Sequence, residues 1–158
     1  MSVPNTMRLG PFTPTVLVKK RYLIFYFFLI WASIIPLLLE FWVYWRLLWN
    51  DTRPIHFYTF LPLLAILMYV TIVFAAIFFA KILLVIVNVI HHPREGVFLR
   101  TPEDKDYRYW SLRNTIKRWP IWLAHRFPFP GTLDNICFKV FGVKTKISNS
   151  LFEGWVDT

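Results

Sequence analysis

The run PLLAILMYVTIVFAAIFFAKILLVIVNVI, residues 62–90, decides the fold class. Its first 19 residues, Pro62 to Ala80, carry no charge, and beyond Lys81 the apolar character continues to Ile90. A membrane span needs roughly 17–25 apolar residues at 1.5 Å of rise each. Strand-like alternation is absent, and lipid offers backbone groups no partner except each other, so the run reads as a helix. Pro62 fits its first turn, where a missing N–H costs nothing. Lys81 falls about 30 Å further along, within reach of headgroups by snorkelling. His91, His92 and Pro93 end the helix, because a proline discourages helix in the residue before it.

Working towards the N-terminus, a second uncharged block of 18 residues runs from Tyr22 to Leu39. Lys19, Lys20 and Arg21 precede it. Phe41, Trp42, Tyr44, Trp45 and Trp49 follow it as an aromatic belt, with Glu40 near that interface. Residues 1–21 hold four Lys or Arg and no acid, and the chain after Ile90 holds eleven against seven acids. The connection over 42–56 has only Arg46, Arg53 and Asp51. The positive-inside rule then places both termini in the cytoplasm. The single cysteine, Cys137, suits a reducing compartment and excludes a disulfide framework. A cleaved signal peptide fits poorly, since the first block is long and lacks a small-residue cleavage site.

Composition agrees with this reading. Of the 158 residues, 56% are hydrophobic, 20% aromatic and 17% charged, with a formal net charge of +9. A typical soluble domain is about 25% charged. An apolar, aromatic, cationic chain points to a bilayer with anionic headgroups as partner, and nucleic acid is not required to explain the basic residues.

After His91 the chain turns polar. Thr101-Pro102-Glu103-Asp104 resembles a helix start, with Thr as cap and Pro at the first position. In WSLRNTIKRWPIWLAHRFPFPG, residues 110–131, Trp110, Ile116, Trp119, Leu123 and Phe127 can share one side of a helix. Arg113, Lys117, Arg118 and Arg126 belong mostly to the other, and Pro120 is expected to break or kink it. Trp119 and Trp122 amid these cations describe a helix lying in the membrane interface. A small cytoplasmic domain that buries the tryptophans is the alternative. Leu133, Ile136, Cys137 and Val140 have helical spacing, with Gly142 as a cap.

The expected architecture is therefore membrane α. A basic segment (1–21) leads into a two-helix transmembrane hairpin (22–90, helices about 22–41 and 62–90). A cytoplasmic loop with amphipathic interfacial helices (91–142) and a short extended tail (143–158) complete it. The membrane-interface set is Lys19, Lys20, Arg21, Trp42, Trp45, Trp49, Lys81, Trp110, Arg113, Lys117, Arg118, Trp119, Trp122 and Arg126.

Chemical sites are sparse. The five glycines stand apart, so no phosphate-binding loop exists. His91 and His92 point about 100° apart on a helix and read as a solvated helix end rather than a metal site. His56 and His125 read as isolated interfacial residues. The 103–106 acids read as a solvated turn, and Asn50-Asp51-Thr52 as a chance glycosylation pattern. Ser111, Ser148 and Ser150 lack His–Asp support for a nucleophile. The spans hold too few polar groups for a transport pathway.

The runs DYRYWSLRNTIKRWPIWL (106–123) and SLFEGWVDT (150–158), with FGVK at 141–144, resemble membrane-anchored members of the hexapeptide-repeat acyltransferase superfamily. The likeness covers about 68 residues from His91 onward. It implies an amphipathic linker entering a left-handed parallel β-helix, acyl-CoA as donor substrate in the complete relatives, and a homotrimer. Counting by six from Val143 gives Asn149 and Trp155, so no aliphatic six-residue period is present. Residues 143–158 are expected to be an incomplete β-helix entry. No residue matches the family's catalytic histidine, so no catalytic, cofactor or metal residue is assigned. The expected role is a non-catalytic anchor at the cytoplasmic leaflet. The alternative is a small non-enzymatic accessory subunit of a membrane complex.

Overall fold

A computed structural model describes residues 20–49, 54–93, 104–126 and 132–142. Among these residues it is all-helical. After a 3-10 turn at Lys20–Tyr22 come α1 (Leu23–Leu48), α2 (Ile55–Ile90), α3 (Lys105–His125) and α4 (Thr132–Val140). Both α1 and α2 are long and apolar enough to cross a membrane.

α1 and α2 pack along each other, and the last turns of α1 meet the first turn of α2. At that end Phe57 packs against Tyr44, Trp45 and Trp49, and the Tyr44 hydroxyl donates to the Phe57 carbonyl. α1 outlasts its expected end near residue 41, because Trp42 to Leu48 carries no helix breaker. α2 begins at Ile55 rather than Pro62, which lies inside it. The uncharged IHFYTFL run ahead of Pro62 continues the helix. Membrane helices tolerate such a proline, since neighbouring groups can satisfy the carbonyl it frees. The other end falls at Ile90 with His91 as cap, as the His-His-Pro sequence predicts.

α3 packs on both long helices, and α4 packs mainly on α3. Asp104 caps α3: one carboxylate oxygen accepts from the Asp106 and Tyr107 amides at 2.8 and 3.2 Å. The cap expected at Thr101 lies outside the described residues, and α3 itself starts only after Asp104. Pro120 does not end α3. Its ring is fully buried beside Ile116 and Leu123, so packing offsets the roughly 3 kcal/mol that an interior proline costs. α4 stops at Val140, with Gly142 at φ +101° just beyond it, the left-handed region where glycine avoids a Cβ clash.

The core joins Leu29 of α1, Val73, Ala76, Ala80, Leu84 and Val87 of α2, Ile116 and Leu123 of α3, and Cys137 and Phe141 at α4. Ala76 and Ala80 are fully buried, and their small side chains let a neighbouring helix approach α2 closely. The outward faces of α1 and α2 are mostly apolar, with exposed Arg46 near the end of α1 and exposed His56, Thr59, Lys81 and Asn88 towards the two ends of α2. Residues 50–53, 127–131 and the tail 143–158 fall outside the described residues.

Candidate functional site

Polar chemistry concentrates along α3. Where α2 ends, Arg113 is only 7% exposed. Its Nε donates to Asn88 Oδ1 at 2.8 Å, and its guanidinium also donates to the His91 carbonyl. One side chain thus satisfies a carbonyl at the open end of α2, where the last carbonyls have no partner within the helix. A cation there also suits the helix dipole.

His91 is part of the same junction. Its ring stacks on Tyr109 at 4.3 Å between centroids, and Nε2 lies 2.9 Å from Asp106 Oδ1. The expectation of a solvated end at His91 is therefore corrected: α3 covers it. His92 is exposed.

Further along, Tyr69 of α2 donates its hydroxyl to the Leu123 carbonyl at 2.7 Å. Trp119 Nε1 donates to Ser33 Oγ at 3.4 Å, while Ser33 donates to the Leu29 carbonyl within α1. Trp119 also meets Tyr26 edge-on at 5.9 Å. Lys81 Nζ donates to the Val140 carbonyl at 2.7 Å, at the last residue of α4, instead of reaching freely towards headgroups.

The two-sided α3 expected from sequence is also corrected. Arg113 and Lys117 are buried alongside Ile116, Thr115 and Ser111. Each lies between α3 and its neighbours, so α3 buries most of its circumference. Its exposed stripe is narrower: Arg118, Trp122 and Arg126, at successive four-residue steps. Trp122 stacks on Trp119 at 5.4 Å, and the Arg126 guanidinium lies 4.5 Å over the Trp122 ring. Trp110 is half-buried and stacks near Tyr107 at 5.7 Å.

At the opposite end of the long helices, Trp45 and Trp49 stack at 4.6 Å and Arg46 sits over Trp42 at 4.9 Å. Arg21 lies over Tyr22. Lys19 falls outside the described residues. Both Glu40 carboxylate oxygens are buried without a hydrogen-bond partner among the described residues.

Between α3 and α4, His125 Nδ1 is 3.3 Å from Asp134 Oδ2, so His125 is not isolated. Cys137 is fully buried nearby. Burial first, then Asp134, pushes its thiol up to about 12, with Lys117 acting in the other direction. A thiol held neutral is a core group, not a nucleophile. Among the described residues no group of three or more His, Cys, Asp or Glu is placed to hold a metal ion.

Sequence reasoning missed Asn88, Asp106, Tyr109, Tyr69 and Ser33. Each is an ordinary polar residue whose partner lies on another helix. The one available signal was a polar residue within an apolar run, shown by Ser33, Tyr69 and Asn88. No protein-family model matches the chain, and no curated protein or solved structure matches it.

Proposed function

We propose that this chain is the membrane anchor and docking portion of a hexapeptide-type acyltransferase-like protein. It holds the acyl-transferring β-helix at the cytoplasmic leaflet and carries no catalytic group of its own. In this reading α1 and α2 form a transmembrane hairpin with both termini cytoplasmic. Trp42, Trp45 and Trp49 occupy the far interface. Lys19, Lys20, Arg21 and the exposed side of α3 face the anionic cytoplasmic leaflet. Acyl-CoA and trimer formation belong to the β-helix of the complete relatives.

The observation that supports the anchor is the packing of α3 and α4 onto two helices whose outward faces are predominantly apolar. A docking unit must keep its attached domain in a set position relative to the membrane. The Arg113, Tyr69, Trp119 and Lys81 hydrogen bonds tie α3 and α4 to α1 and α2 at four separate levels.

The test combines extraction and labelling. The chain should stay in membranes through alkaline carbonate, and cysteines introduced at residues 5 and 150 should be shielded from outside reagents in intact cells. Release by carbonate, or labelling of either site from outside, refutes the topology. The purified chain should not turn over acetyl-CoA. Turnover abolished by replacing His56, His91, His92 or His125 refutes the non-catalytic role.

A further inference from the structure

We propose that α3 is a re-entrant helix whose stripe of Arg118, Trp122 and Arg126 binds the phosphodiester headgroup of an anionic phospholipid below the normal headgroup plane. The inference rests on the membrane reading above and goes beyond it by setting the depth of α3 and naming its ligand.

Depth follows from where α3 touches α2. Arg113 meets the end of α2 at Asn88 and His91. Ten residues later, Leu123 meets Tyr69, about 32 Å back from Ile90 along the α2 axis. α3 therefore returns alongside α2 instead of lying across its end. With the Trp45, Trp49 and Phe57 cluster at the far interface, about 30 Å of hydrocarbon extends to near Ile77. Tyr69 lies about 12 Å inside that boundary. Tilting α2 moves the boundary towards Ile90 and leaves Tyr69 deeper still.

The flanking surface says that lipid surrounds this level. Ile66, Leu67 and Phe74 of α2, and Phe27 and Trp31 of α1, are exposed there. In water they would form a large apolar patch of the kind soluble proteins avoid. Charged groups at this depth normally turn inward and pair. Arg113 and Lys117 do turn inward.

Arg118 and Arg126 do not. Both are exposed, and among the described residues no carboxylate pairs with either. Arg126 rests on the Trp122 face, and Trp122 is 44% exposed and backed by Trp119. A guanidinium over a ring face still has N–H donors to offer, in the fork geometry that matches a phosphate. The stripe spans about 12 Å along α3. Arg118 stands at the end nearer the α2 terminus, so the stripe leads from the headgroups down into the acyl region. A lipid phosphate drawn down it supplies the anion that the described residues do not, and the cytoplasmic leaflet thins around α3.

The test uses the full chain reconstituted in phosphatidylcholine vesicles with and without phosphatidylglycerol. Subtracting the Trp122→Phe variant isolates the Trp122 fluorescence. Its quenching should peak with bromine placed partway along the acyl chains. A peak at the headgroup end, or quenching by aqueous iodide, overturns the re-entrant placement while carbonate resistance still upholds the anchor. Phosphatidylglycerol retained by the purified protein over phosphatidylcholine should fall about fivefold for each of Arg118→Gln and Arg126→Gln. Arg126→Lys should keep part of that preference. Unchanged preference in the double variant overturns the phosphate site, as does equal retention of both lipids by the unaltered chain. If carbonate releases the chain, the anchor reading and this inference fall together.

Discussion

Replacing Arg113 by Met should loosen the junction between α2 and α3 more than any change on the exposed stripe. Met preserves most of the buried stem and removes the guanidinium. Two charge-assisted hydrogen bonds are lost, to Asn88 Oδ1 and to the His91 carbonyl. Such bonds contribute about 1.5–3 kcal/mol each. Asn88 is exposed and can turn to water or headgroups, so its share belongs at the low end. The His91 carbonyl closes the open end of α2 and carries the larger share. The sum is about 4 kcal/mol, less about 2 kcal/mol because burying the cation carried its own desolvation cost. A net loss of about 2 kcal/mol is expected. Unfolding of the purified chain in mixed micelles would measure it, with Arg118→Met as the exposed control. Hydrogen exchange should rise first over Asp106 to Arg113, since α3 then loses its tie to α2. An Asn88→Ala, Arg113→Met cycle should show coupling of about 1 kcal/mol. Arg113→Met within about 0.5 kcal/mol of the parent, with unchanged exchange across α3, would refute the view that this arginine joins the two helices.

Glu40→Met should stabilise the chain by about 1–2 kcal/mol in the same unfolding assay, because it removes a buried carboxylate that has no hydrogen-bond partner among the described residues. Gly142→Ala should cost about 1 kcal/mol from its positive φ alone, since a Cβ there meets nothing within 4 Å. Lys81→Met should raise amide exchange at the end of α4, with a loss of about 0.5–1 kcal/mol, by removing the cation at the Val140 carbonyl. Cys137 should resist maleimide until the chain unfolds. Its folded-state pKa is raised from 9.0 to about 12, so the unfolded thiol ionises first as pH rises. This contribution to stability is therefore intact below pH 9.0 and declines from there towards about 12, which a pH series of unfolding midpoints would show.

The two long helices were legible in the sequence because an uncharged run of 18 or 19 residues has one low-energy backbone form in lipid. The end of α2 at Ile90 and the glycine beyond α4 were legible for the same kind of reason: proline and glycine act on their own backbone, without a distant partner. The start of α2 was not. Pro62 is an acceptable first-turn residue and also an acceptable interior one in a membrane helix, and local rules do not separate the two.

The interface residues show the same division. That Trp110 to Arg126 forms a helix mixing aromatic and basic residues was plain in the sequence. Which basic residues face outward was not, because Arg113 and Lys117 differ from Arg118 and Arg126 only in what lies opposite them. α2 places Asn88 and the His91 carbonyl before Arg113, and no carboxylate before Arg126. Likewise His91 and His125 have no acidic neighbour at helical spacing on their own helices, yet each meets an aspartate once the helices pack. Composition and the length of apolar runs thus determined that this chain has two helices able to span a bilayer, since hydrophobicity adds up residue by residue. Only the tertiary structure decided which polar side chains are shared between helices, because a hydrogen bond depends on two groups meeting within about 3 Å, whatever their separation along the chain.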